Sequence, residues 1–384
     1  MITRDIAYIG VDDTDLDLFE SQYIIPNGIS YNSYLIKDEK IAIMDTADNR
    51  KIDEWLGNLR TALDGRTPDY LVVQHMEPDH AGCIAEILEE YPAIKIVASA
   101  RAIQMMPQFF EGKDFSQNTI AVKEGDTLSL GEHILQFFMA PMVHWPEVMV
   151  TYDKKDKVVF SADGFGKFGA LSHEEDWACE ARRYYFNICG KYGGPVQALL
   201  KKLATLDVEC ICPLHGPILK ENLGYYIGLY DTWSKYDVET EGVFIAYASI
   251  HGGTAAVANV MAEILREKGA KKVSVADLSR DDMAEAIEDA FRMDKMIVAA
   301  ASYDGGVFPV MHDFLHHLQI KAYQKRRVGI IENGSWAPCA GRVMRGMLEQ
   351  MKDVEIVEPM VTILSRMKQS DRAALEALAD AILK

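Results

Sequence analysis

The chain has 384 residues, longer than one usual domain, and its 49% hydrophobic content is that of a globular protein with real cores. A net charge of −18 argues against nucleic acid or an anionic membrane surface as partner, since both recruit basic patches. No run of eighteen apolar residues occurs, and the acid-studded start "MITRDIAYIGVDDTDLDLF" has no signal-peptide core, so the expectation is a soluble cytoplasmic protein.

In chain order, the first half alternates apolar runs with turns: "IAIMD", "YLVVQ", "IKIVAS", "HILQFFMAP", "KVVFSAD" and "VECICP". Most are too continuously apolar for strands exposed on one face, so they read as central strands covered on both sides. Helical stretches such as "HAGCIAEILEEYP" and "PVQALLKKLATL" lie between them, which makes a layered α/β arrangement. The six cysteines are scattered without a C-x-x-C pair, so neither a disulfide framework nor a zinc ribbon is indicated. A polar, acidic passage near 234 to 242 reads as a linker. Beyond it five strand–helix units follow strictly, from "GVFIAYAS" with "TAAVANVMAEILREKG" to "VEIVEPMVTIL" with "RAALEALADAILK". That rhythm predicts a doubly wound parallel sheet with right-handed connections. The expected domains are 1–240 and 241–384.

Chemistry gathers where the strands of the first half end. "LVVQHMEPDH" closes an apolar run with His75, Glu77, Asp79 and His80. The first three stand two apart, so an extended backbone would point them the same way. His144 follows another apolar strand in "FFMAPMVHWPE", Asp163 ends "KVVFSAD" before a glycine-rich turn, and His215 follows "VECICP". Four strands finishing in histidine or carboxylate point to a metal site. Four imidazoles and three carboxylates exceed what one ion takes from protein, which suggests two ions sharing one carboxylate. No thiolate stands at these positions, so structural zinc is disfavoured, while iron, manganese or catalytic zinc suit the mixed ligands.

This spacing resembles the H-x-H-x-D-H motif of the metallo-β-lactamase fold, with Glu77 where the second histidine would stand. The H-x-E-x-D-H form, together with "HWPE", "SADGFGKFG", "PLHGPI" and "NGISYNSYLI", resembles the flavodiiron proteins (A-type flavoproteins) over essentially the whole chain. The resemblance implies an N-terminal metallo-β-lactamase-like αββα sandwich followed by a C-terminal flavodoxin-like sheet. It also implies one iron on His75, Glu77 and His144, another on Asp79, His80 and His215, and Asp163 as the bridge. Water replaces the residue corresponding to His80 in some members.

In the second half, "FIAYASIHGGTAAVANVMAEIL" is a strand, a short loop and a helix. Ser249, His251, Gly252, Gly253 and Thr254 would set N–H groups and hydroxyls around the helix N-terminus, which favours an anion. The spacing is neither the dinucleotide fingerprint nor a P-loop. Two further loops end on the same sheet edge, one with Ser302, Tyr303, Asp304, Gly305 and Gly306, the other with Asn333, Gly334, Ser335 and Trp336. A flat ring held between such loops, with its phosphate at the first helix, resembles FMN binding by flavodoxin-like domains. His251 and Gly253 depart from the more usual pattern and leave fewer hydroxyls for the phosphate.

The reading is an oxidoreductase that passes electrons through FMN to two non-haem irons, reducing O₂ to water, NO to N₂O, or both. Family resemblance implies a separate electron donor, rubredoxin or coenzyme F420, and a head-to-tail homodimer. The rival is a zinc-dependent hydrolase of the metallo-β-lactamase type with a flavodoxin-like regulatory domain.

Overall fold

The computed structural model describes residues 2–384, in which the chain divides into two compact units. The first comprises Met1–Tyr185 and Gly194–Asp231, and the second Phe186–Gly193 and Thr232–Lys384. The division therefore falls before residue 240, and a short segment of the first half groups with the second unit.

The first unit holds two mixed sheets. One runs in the order Ile6–Tyr8, Tyr34–Lys37, Ile41–Met44, Tyr70–Val73, Lys95–Ser99 and Thr119–Val122. The other runs Thr127–Ser129, Ile134–Met139, Met149–Asp153, Val158–Phe160 and Cys210–Cys212. Their inner faces share one core, with Tyr34, Met44, Val72 and Val97 from the first sheet against Phe137, Met149, Phe160 and Cys212 from the second. Alternate residues of each strand feed that core. The amphipathic helix Ile52–Leu63 of the same unit buries Trp55, Leu56, Leu59 and Leu63 at helical spacing. Cys210 and Cys212 are buried thiols within the core, as alternate strand residues should be.

The second unit is a parallel sheet ordered Val273–Asp277, Thr240–Ala248, Met293–Tyr303, Arg326–Asn333 and Val354–Ile363. In order of appearance this is 2-1-3-4-5, a doubly wound arrangement whose strand order reverses beside the first strand. Helices Gly253–Glu267 and Arg372–Ile382 cover one face, where Val257, Met261, Leu265, Leu375 and Leu378 pack on Val243, Ile245 and Ile297. Burying one such aliphatic side chain is worth about 1.5–3 kcal/mol, so this layer holds the strand ends in place. Among the described residues no helix is long and apolar enough to cross a membrane.

Candidate metal centre and strand-end cavity

The strand Tyr70–Val73 ends before His75, and the chain then turns sharply. Pro78 stands at the first position of a short helix, Pro78–Ala81, with Glu77 as its extended N-cap residue. Asp79 and His80 are thus helical, not part of one extended run with His75 and Glu77. The expectation that alternation would point three side chains together is corrected here: proline's fixed φ suits a helix start, and the backbone bends at it. The bend divides the four residues between two adjacent clusters.

In the first cluster His75 Nε2 and His144 Nε2 lie 3.1 and 3.0 Å from Glu77 Oε2, and each lies 3.2 Å from Asp163 Oδ2. In the second, His80 Nε2 and His215 Nε2 each lie 3.2 Å from Asp79 Oδ2 and 3.1 Å from one another. Asp163 Oδ1 is 3.3 Å from His80 Nε2 and 3.8 Å from His215 Nε2. The two oxygens of Asp163 therefore face different clusters. The His80 ring turns inward with the others.

Donors roughly 2.0–2.2 Å from one ion stand about 2.9–3.5 Å from each other at tetrahedral or octahedral angles, which is the spacing found here. Both carboxylate oxygens of Asp79 and of Asp163 are buried without a hydrogen-bond partner, although imidazole nitrogens are close. Buried carboxylates that converge with imidazoles yet form no aligned hydrogen bond are arranged around a common centre. The donor set fits a metal pair.

The electrostatics agree. Burial would lower the His75 and His144 imidazoles, but Asp163 and Glu77 outweigh it, holding His75 well above its ordinary value and His144 up at about 9. Burial would raise Asp163, yet His75, His144 and His80 hold it well below the carboxylate range. Asp79, where burial dominates over His80, is pushed up to about 7.

Two residues outside the expected set fix the ligands. Glu147 Oε1 accepts from His75 Nδ1 at 2.8 Å and from the Met76 N–H at 2.9 Å, which orients the imidazole with Nε2 free to bind. Asp45 accepts from the Gln74 N–H at 2.7 Å and the Gln74 amide at 2.9 Å, tying the loop before His75 to the neighbouring strand end. Its burial pushes it up to about 6. On the other side His215 Nδ1 donates to the Ser30 carbonyl at 2.7 Å. Both carboxylates had a readable signal: Asp45 ends "IAIMD", as Asp163 ends its own strand, and Glu147 closes "HWPE". A further group, His133, Asp153 and Asp156, is built differently. There His133 Nδ1 donates to Asp153 at 2.9 Å while Lys155 pairs with Asp5 and Glu132, a closed charge network.

In the second unit a cavity of about 610 Å³ opens at the carboxyl ends of the first, third, fourth and fifth strands. The first loop contributes Ser249, His251, Gly253 and Thr254, the third-strand loop Ser302, Tyr303, Asp304 and Gly305, and the fourth-strand loop Asn333, Gly334, Ser335 and Trp336. Gly252 and Gly306 do not line it. Gly252 instead caps the helix at φ +81° with no side-chain cap, so that N-terminus has free N–H groups. Ser249 Oγ is buried without a partner. Tyr303 is 45% exposed and Trp336 92%, two aromatic faces at the mouth of a ligand-sized space. Sequence reasoning missed Ile250, Ala301, Ala337, Cys339, Ser365 and Arg366 on its wall.

The chain is similar to several known proteins. The family described as ODP family beta lactamase matches residues 29–216. A putative diflavin flavoprotein A 2 of Synechocystis is 30% identical over 96% of this chain, which spans 64% of that relative's length. An anaerobic nitric oxide reductase flavorubredoxin of Escherichia coli is 28% identical over 88% of this chain and 72% of its own. Among solved structures, the rubredoxin oxygen:oxidoreductase of Desulfovibrio gigas superposes with a TM-score of 0.93 at 26% identity, covering 100% of this chain and 97% of that one.

Proposed function

The chain belongs to the flavodiiron protein family, and from that premise we propose that it reduces O₂ to water, NO to N₂O, or both, with electrons from a separate donor. It is an oxidoreductase of the type that carries FMN and a non-haem diiron site. One observation carries the proposal: Asp163 presents one carboxylate oxygen to each of two adjacent histidine–carboxylate clusters. When bound, the flavin supplies electrons and the paired irons supply adjacent positions for a small diatomic.

The chain's own residues hold and orient. His75, Glu77 and His144 would bind one iron, Asp79, His80 and His215 the other, and Asp163 both. Glu147 keeps the proton of His75 on Nδ1, leaving Nε2 for the metal. Burial of all four imidazoles and of Asp79 and Asp163 keeps bulk water from the ligands, so the charges act at short range in a low-dielectric site. In the second unit Ser249, Thr254 and the uncapped N–H groups beside Gly252 would hold the flavin phosphate, with Tyr303 and Trp336 at the ring. The products need four electrons and four protons for O₂, and two of each for a pair of NO molecules.

Rubredoxin or coenzyme F420 remains the proposed donor, and a head-to-tail homodimer the proposed assembly. The zinc hydrolase reading is not favoured, because Glu77 sets an anionic oxygen where an imidazole would suit zinc. Chemical reduction under anaerobic conditions, followed by separate O₂ and NO consumption assays, tests the proposal. Stoichiometric consumption of either gas supports it, and consumption of neither overturns it.

A further inference from the structure

The cavity of the second unit has one feature that hydroxyls and backbone amides do not supply: Arg366 is the only lysine or arginine among the described residues lining it. Its neighbour Ser365 lies hard against the start of the helix Gly253–Glu267, so close that a Cβ on Gly253 would sit 2.5 Å from the Ser365 carbonyl oxygen. Asn333 Nδ2 clamps this approach, donating to the Ser365 carbonyl at 3.0 Å and to Thr254 Oγ1 at 3.3 Å. Lys368 Nζ donates to the Leu364 and Arg366 carbonyls at 2.8 and 3.2 Å, so the turn carrying Arg366 is held from behind. That lysine is committed to carbonyls. Among the described residues no ion pair or hydrogen bond engages the Arg366 guanidinium.

The anion-binding elements converge at this point. The helix N-terminus has no side-chain cap, Ser249 Oγ is buried without a partner, and Thr254 is buried beside them. A helix terminus provides roughly half a positive charge, short of what a phosphate dianion needs. The first loop carries His251 and Gly253 in place of further hydroxyls, and Asp304 is the one carboxylate among the described residues lining the cavity. The missing positive charge is on the fifth-strand loop.

We propose that Arg366 pairs with the flavin phosphate and so makes the cavity select a phosphorylated flavin over riboflavin. The proposal rests on the flavin reading above and names the residue that sets its specificity. A planar guanidinium suits this task, since two of its N–H groups can meet two phosphate oxygens.

The test strips flavin from the full-length protein and titrates it with FMN and with riboflavin, following quenching of flavin fluorescence. The unsubstituted protein should prefer FMN. In Arg366→Ala the FMN dissociation constant should rise about tenfold, the lower end for a charge-assisted hydrogen bond because the side chain is exposed, while riboflavin affinity stays put. Arg366→Lys should recover part of the preference, and added salt should weaken FMN binding less in Arg366→Ala than in the unsubstituted protein. Unchanged FMN affinity, or an equal loss for both flavins, would overturn the role of Arg366. Failure of the unsubstituted protein to bind either flavin would instead remove the flavin reading, and this inference with it. A thermal melt of each stripped variant identifies any loss due to unfolding.

Discussion

Glu147→Gln separates the two metal positions by acting on a residue that touches only one ligand. In the structure both His75 Nδ1 and the Met76 N–H meet the same carboxylate oxygen, Oε1. A glutamine carbonyl in that place keeps both acceptor contacts and loses the charge. A hydrogen bond to a charged group contributes about 1.5–3 kcal/mol and a neutral one about 0.5–1.5, so the difference is about 1–1.5 kcal/mol. Outer carboxylates of metal-bound histidines change affinity about 10- to 100-fold, and the present geometry points to the lower end. Glu147 is ionised at neutral pH, since burial, which would raise it, is outweighed by His75 and the Met76 amide. Its Oε2 has no partner, so the new amide N–H costs some folding stability as well. Anaerobic ferrous titration of metal-free protein, read by Mössbauer spectra and by competition with a chelator, should show one iron weakened about tenfold. The iron on Asp79, His80 and His215 should bind as before. Equal weakening of both irons, or no change in either, would refute the link from Glu147 through His75 to a single position.

Three further outcomes follow from the same geometry. Asp163→Asn should alter the spectra of both irons, because each carboxylate oxygen faces a different cluster; a change confined to one iron would make Asp163 a terminal ligand. Iron uptake at pH 7 should release about two to three protons, because His75 and His144 are held protonated above neutrality in the metal-free site, Asp79 at about 7 is partly protonated, and all must bind metal deprotonated. The sign is fixed by that shift: apparent affinity should climb as pH rises toward about 9 and fall in acid, and calorimetry in two buffers of different ionisation heat would expose an absence of proton release. Gly253→Ala should cost most of the FMN affinity, since its Cβ would stand 2.5 Å from the Ser365 carbonyl oxygen and force the fifth-strand loop outward; normal flavin binding with an unchanged melting temperature would show that the loop yields freely.

Much of this architecture was legible because the strands of the second unit are buried on both faces. Runs such as "KMIVAAAS" have no reason to be apolar throughout unless helices cover both sides, and the strand from Met293 to Tyr303 is that case. The ligand residues were legible for a related reason: charged groups directly after apolar strands must sit at a sheet edge. The split within "HMEPDH" was not, since period-two spacing suggests one direction and only the helical turn at Pro78 divides it. Strands of two or three residues, such as Val11–Asp13 and Leu18–Phe19, are too short to establish any period. Glu147 and Asp45 act through hydrogen bonds made across the fold, 71 and 29 residues away in sequence. Arg366 is further out of reach, because its neighbour Ser365 meets Gly253 only once the helices Gly253–Glu267 and Arg372–Ile382 pack together on one face of the sheet, which no local pattern encodes.

The most direct measurement of the central claim is the metal and flavin content of protein expressed with ample iron, with Mössbauer spectra of the same sample. The account predicts about two irons and one FMN per chain, with the irons magnetically coupled through the shared carboxylate of Asp163. Zinc as the dominant metal, or two irons with no coupling, would contradict it.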